Sequence, residues 1–237
     1  ELAARVGVPN VMIKVPGTPA GRDAVEELTA AGVSVNVTLL FSVDAYERIA
    51  RAYVAGLERR REAGRALDRV ASVASFFVSR VDTAVDPVLP AGSPLRGRAG
   101  IANAKLAYQR FRDVFAGERW ERLAASGARP QRPLWASTST KNPAYSDTLY
   151  VEGLVTRGVV DTMTEATLAA IADHGTLDLT DSVRGSYDEA QKVIDGLAEV
   201  GVDYDEVVAL LEDEGIAKFS DSWTALADEL RTVLTPR

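Results

Sequence analysis

Five short stretches of the chain alternate apolar and polar residues, and longer stretches with helical spacing separate them. In residues 11–15, Val11, Ile13 and Val15 share one face while Met12 and Lys14 share the other, the period of a strand. The run breaks at Pro16-Gly17. Residues 33–39 repeat the arrangement, with Val33, Val35, Val37 and Leu39 opposite Ser34, Asn36 and Thr38. Further strands are predicted at 70–78, 131–138 and 159–163. The third places Ser75 and Phe77 on one face, with Arg80 just past its end.

Between these stretches the spacing becomes helical. Ala24, Leu28 and Ala31 predict a helix ending at Gly32, and Ser42 is an N-cap residue ahead of the stripe Tyr46, Ile49, Ala50, Tyr53, Val54 and Leu57. Residues 83–96 are rich in Pro and Gly and are expected to form a loop. Helical periodicity returns over 100–116, a short amphipathic piece surrounds Trp120, a helix is predicted near 146–156, and Thr164 caps another over 165–173. His174, beside Gly175, is expected to cap the last helix. The alternation of strand and helix then stops. Residues 186–200, 205–212 and 222–234 predict three further helices.

Repeated strand–helix units with short connections imply a parallel sheet with right-handed crossovers. Strands apolar outward and polar inward favour a barrel over an open doubly wound sheet, whose strands are apolar on both faces. The expected organisation is part of a barrel over 1–175 and a helical tail over 176–237 packed on it. The opening residues, ELAARVG, read as the end of a helix without an initiator methionine, as if the chain began inside a larger motif.

Composition narrows the chemistry. With 46% hydrophobic residues in 237, the chain can bury a sizeable core. A formal charge of -7 argues against a nucleic-acid surface, so any phosphate recognition must be local. The absence of cysteine and a single histidine leave no thiolate or His-rich metal site. No apolar run approaches the ~20 residues of a membrane span, and no signal-peptide pattern opens the chain, which makes the cytoplasm the default compartment. PGTPAG lacks the spacing of a P-loop.

Five segments in order, VMIKVPGTPAG, SVNVTLLFS, ASFFVSRVD, ASTSTKNPAYSD and VVDTMTEATL, resemble the transaldolase family in the longer bacterial form seen in actinobacteria. The resemblance implies a (β/α)8 barrel of the class I aldolase type, here an incomplete barrel of about strands 4–8. It places a catalytic Asp and Glu and a further Asn upstream of residue 1. It implies Lys14 as the Schiff-base lysine and Thr38 as a holder of the proton-shuttling water. It further implies Asn36 and Ser75 as contacts to substrate hydroxyls, Phe77 as a wall, Arg80 as the phosphate-binding cation, Lys141 as a second cation, and Ser137 as a sugar or phosphate contact. Phe219 in the tail is the aromatic expected to approach the mouth.

The reaction so implied moves a dihydroxyacetone unit from sedoheptulose 7-phosphate or fructose 6-phosphate to an aldose phosphate, with no cofactor or metal. A neutral amine must attack the ketose carbonyl, and an interior position among apolar walls would favour that neutral form. The competing expectation for Lys14 is a strand-end lysine snorkelling to solvent. Two other functions remain: a fructose-6-phosphate-type aldolase that releases dihydroxyacetone, and a partial barrel without turnover. Residues 1–237 alone are expected to transfer poorly. Exposed strand edges would need an upstream segment or a homo-oligomer to cover them.

Overall fold

The computed structural model describes residues 1–176 and 180–234. Five parallel strands form one sheet in sequence order: β1 (Ile13–Pro16), β2 (Val35–Leu40), β3 (Ser72–Phe77), β4 (Arg132–Ala136) and β5 (Val160–Thr162). Each predicted strand is present but shorter than its apolar run, because residues such as Val11 and Val70 lie in the connections that lead into it. Each next strand returns parallel after a connection containing helix, as right-handed βα units require. Helix α1 (Leu2–Val6) precedes the sheet and ends on Gly7 in the left-handed conformation.

The outer face is apolar because helices cover it. Val35, Val37, Phe76 and Trp135 are buried in one core with Tyr46, Ile49 and Tyr53 of α3 (Val43–Glu62). Ser42 caps α3 by accepting from the Ala45 N–H at 3.0 Å. Phe76 meets Tyr46 and Trp135 edge-on, with ring centroids 6.2 and 6.5 Å away. Helix α2 (Pro19–Ala31) packs on α3, which packs on α5 (Ala99–Val114), and α6 (Gly117–Ala124) adds Trp120 and Leu123 to the same core.

Three expectations give way. Residues 83–96 were expected to be loop, yet the chain turns directly from β3 into α4 (Ser79–Val85) and a 3-10 turn, Asp86–Val88. Buried Asp82 and Asp86 hold that turn, and the Pro-rich pattern hid them. The helix near 146–156 contracts to α7 (Leu149–Glu152), since Gly153 begins a turn. Leu39 does not share the face of Val35 and Val37. It adopts φ 58°, the register with β3 slips between Val37 and Leu40, and the resulting bulge sends Leu39 into a second core while Leu40 rejoins the first.

After α8 (Glu165–His174), the tail packs as α9 (Tyr187–Glu199) and α10 (Tyr204–Leu234). The helices expected at 205–212 and 222–234 are one, because the residues between them, DEGIAKFSD, contain only a single Gly and no Pro to stop it. Ala190 and Val193 of α9 pack on Ala102 and Leu106 of α5. In the first half of α10, Val208 and Leu211 pack with Leu39, Val81 and Val85, and the Tyr204 hydroxyl donates to Asn103 at 2.6 Å. Its second half leaves Phe219, Trp223, Leu226, Leu230 and Val233 exposed at alternating spacings of four and three. No helix among the described residues is long and apolar enough to cross a membrane.

Candidate active site

Lys14 stands on the inner face of β1. The break after it is a helix start: Gly17 donates to the Thr38 carbonyl at 2.7 Å, Thr18 accepts from Gly21 N–H at 3.1 Å, and Pro19 opens α2. A Cβ on Gly17 would collide with Leu40, so the chain turns tightly against β2. This accounts for PGTPAG without a nucleotide.

In register, Lys14 lies beside Asn36 on β2. The Asn36 amide oxygen accepts from Ser75 Oγ at 2.8 Å, so lysine, amide and hydroxyl run across three strands on one face. Below them Met12, Val73, Leu134 and Ala136 form a small apolar cluster with Phe77. Thr38 is buried, and its Oγ1 has no hydrogen-bond partner in the protein. A buried hydroxyl in that state is suited to hold a water or a substrate oxygen.

Phe77 packs against Phe41 at 5.1 Å and lies under the Arg80 guanidinium at 5.2 Å. The ring over Lys14 is Phe219, whose centroid is 5.9 Å from Nζ. The lysine is exposed rather than enclosed by apolar walls: β1 is an edge strand of the sheet, and the Phe219 ring of α10 lies over the amine. Thus the tail helix places an aromatic ring beside Lys14.

Arg80, just past the end of β3 as expected, is on the first turn of α4. Ser137, just past β4, adopts φ 59°, and its carbonyl and hydroxyl meet the backbone N–H and hydroxyl of Ser79, each at 3.1 Å. Leu39 and Ser137 are the non-glycine residues with left-handed backbones among those described, and both lie at carboxyl ends of strands, where strain is often held for function. Lys141 is exposed in the loop after Ser137.

The sequence pattern missed a buried acid cluster behind this loop. Burial pushes the Asp82 carboxyl up to about 6, against the lowering effect of the Gly100 N–H. Tyr145 donates to Asp86 at 2.7 Å. The spacing of Asp82 and Asp86, one helical turn apart and just after Arg80, was the available signal. Asp161 on β5 was also missed; burial raises it to about 6, opposed by a 2.7 Å hydrogen bond from Thr138.

His174 caps nothing through its ring. It bridges Asp147 at 2.9 Å and Asp173 at 3.1 Å, which raise its affinity for a proton, Asp147 first. Because its folded pKa is raised above the ordinary 6.5, its stabilisation is complete below the unfolded value and disappears as pH rises through the folded one. His174→Gln is therefore expected to lower Tm by about 1–3 °C near pH 6 and not at pH 9, measured by thermal melts at both values.

A parallel five-stranded sheet covered by helices, with a lysine, an amide and hydroxyls on its other face, defines the class: an α/β protein. The family described as Transaldolase/Fructose-6-phosphate aldolase matches residues 1–230, and the chain belongs to that family. It is 52% identical over 240 residues to a protein named Transaldolase from Mycolicibacterium paratuberculosis, covering 99% of this chain and 64% of that one. It is 54% identical over 223 residues to a Transaldolase from Acidothermus cellulolyticus, covering 92% and 60%. The chain spans less than two thirds of the length of these relatives.

Proposed function

We propose that the chain carries the Schiff-base portion of a transaldolase site, acting on sugar phosphates. The observation that carries this is the row Lys14, Asn36 and Ser75 on one face of the sheet, with Arg80 beyond the end of β3. Lys14 Nζ adds to the C2 carbonyl of a ketose phosphate, and loss of water gives an iminium. The C4 hydroxyl gives up its proton to water, the C3–C4 bond breaks with its electron pair moving toward the iminium nitrogen, and the aldose fragment leaves as an aldehyde. The retained three-carbon enamine adds to the acceptor aldehyde, whose oxygen takes up a proton, and water hydrolyses the new iminium to release the ketose phosphate and free Lys14. The lysine is itself the electron sink, so the scheme calls for no cofactor or metal.

Asn36 and Ser75 hold substrate hydroxyls, and Thr38 holds the water that passes protons between carbinolamine and iminium. Arg80 grips the phosphate as a planar fork, with Lys141 as a point charge and Ser137 as a polar contact between them. Phe219 takes the place expected of Phe77 beside the lysine, its ring face favouring the positive iminium.

The five strands are taken as an arc, about strands 4–8, of a (β/α)8 barrel over 1–175, with 176–237 as its helical tail, in a cytoplasmic enzyme. Unpaired edges on β1 and β5 support the arc; further strands or a second copy of the chain would cover them. Exposure of Lys14 favours one second reading, a fructose-6-phosphate-type aldolase, because water that reaches the enamine protonates it and dihydroxyacetone is released.

The test is borohydride reduction in the presence of fructose 6-phosphate, followed by peptide mass analysis. A mass increment on the Lys14 peptide is expected, and a folded sample without it overturns the proposal. Adding erythrose 4-phosphate separates the two chemistries, since transfer consumes the acceptor and aldol cleavage releases dihydroxyacetone without it. A trapped adduct with neither outcome would identify a partial barrel without turnover.

A further inference from the structure

The loop that carries Lys141 is tied to the helix of Arg80 at both of its ends. On the entering side, Ser137 meets Ser79, the residue before Arg80, through two hydrogen bonds of 3.1 Å. On the leaving side, the Tyr145 hydroxyl donates to Asp86 Oδ2 at 2.7 Å. Between the tethers the loop closes on itself: Thr140 Oγ1 donates to the Ser146 carbonyl at 2.8 Å, and the Ala144 N–H donates to Asn142 Oδ1 at 3.0 Å. Lys141 is held at the exposed turn of a closed loop, not on a free strand of chain.

Asp86 is itself fixed. It is buried, and its other oxygen accepts from the Gly97 N–H at 3.0 Å, while Asp82, one turn earlier, accepts from the Gly100 N–H at 3.0 Å. Both carboxylates thus receive backbone donors where α5 begins, which compensates part of the cost of burying them. The fit is close: a Cβ on Gly97 would lie 2.9 Å from the Tyr145 ring, and one on Gly100 would lie 2.6 Å from the Val78 carbonyl. The Tyr145 phenol is pushed up to about 12 by burial and by Asp86, and remains a donor throughout the ordinary pH range.

A chain needing only to bury this turn would be served by apolar residues of similar volume. The buried carboxylate is instead aimed at the loop that carries the second cation, from the 3-10 turn that follows the helix carrying the first. We infer that Tyr145 and Asp86 form a positioning pair that holds the Lys141 loop against the Arg80 helix and so sets the grip on a phosphate group. The inference rests on the phosphate role of Arg80 and Lys141 proposed above. Neither member touches the phosphate. Loss of the contact lets the leaving end of the loop drift, and Lys141 spends less time where it can share an oxygen with Arg80.

The test uses the full chain and inorganic phosphate, with Kd measured by calorimetry well below Tm. Tyr145→Phe keeps the ring on Gly97 and removes one oxygen. It is expected to raise Kd about three- to tenfold, the worth of one hydrogen bond, while circular dichroism confirms that the protein remains folded. Should Tyr145→Phe not fold, Asp86→Asn serves: it preserves volume and the acceptor for Gly97, weakens the charge-assisted bond, and is expected to shift Kd in the same direction. A merely structural role would lower Tm and leave the Kd of the folded protein unchanged. That result overturns the inference while leaving the phosphate site intact, provided the parent binds and Arg80→Ala does not. A parent chain that binds no phosphate overturns both.

Discussion

Lys14→Met is expected to abolish borohydride-dependent labelling of the chain by fructose 6-phosphate and to reduce any turnover by about a thousandfold or more. Methionine matches the lysine stem in length and removes the amine, so the loss reports the nucleophile and not the packing. Lys14→Arg should lose as much. A guanidinium keeps the charge but is never neutral near pH 7, and it forms no Schiff base with a ketose. The measurement is peptide mass analysis of parent and variants after reduction. Label persisting at the parent level in Lys14→Met, on Lys141 or another lysine, would show that the inner-face amine is not the reacting group.

Trp135→Ala is expected to destabilise the chain by about 3–5 kcal/mol, lowering Tm by roughly 10 °C. Trp135 is buried on the outer face of β4, the strand that α5 contacts, edge-on to Phe76, which is edge-on to Tyr46. Alanine would leave a void at the centre of the chain's main core. Trp135→Phe should lose only about 1–2 kcal/mol, because it keeps a ring and removes an indole N–H that is buried without a partner. Urea melts of the three proteins check the order. Equal losses for Phe and Ala would mean that the indole N–H is satisfied and that volume is not the main quantity.

The outer face was legible from the sequence because one physical rule writes it: a strand covered by helices on one side alternates, and Val35, Val37, Phe76 and Trp135 obey. The order of βα units was legible for the same reason. What escaped was set by single backbone conformations or by contacts far apart in sequence. Nothing local to SVNVTLLFS announces that Leu39 turns left-handed and breaks the register. Nothing in residues 83–96 shows that Asp86 is buried against Gly97 and Tyr145, 11 and 59 residues away.

The candidate site divides in the same way. Asn36 could be placed on the face of Lys14 from strand period, and Ser75 near it from the resemblance, and their 2.8 Å hydrogen bond agrees with that placement. The partner of the lysine could not. Phe77 sits on the adjoining strand face, but the bulge in β2 brings Phe41 against it, and its ring takes Arg80. Phe219 reaches Lys14 because α10 runs unbroken from Tyr204, a consequence of tertiary placement that helical period does not encode.

Gly215 packs against Leu39, where a Cβ would lie 2.8 Å from the leucine Cδ2, and it stands one helical turn before Phe219. The missing methyl group therefore acts as a shim of zero thickness. The kinked strand end sets the height of the helix above the sheet, and the helix sets the height of the aromatic ring above the amine. A backbone distortion in β2 that makes no contact with substrate thereby gauges how closely the lysine is covered.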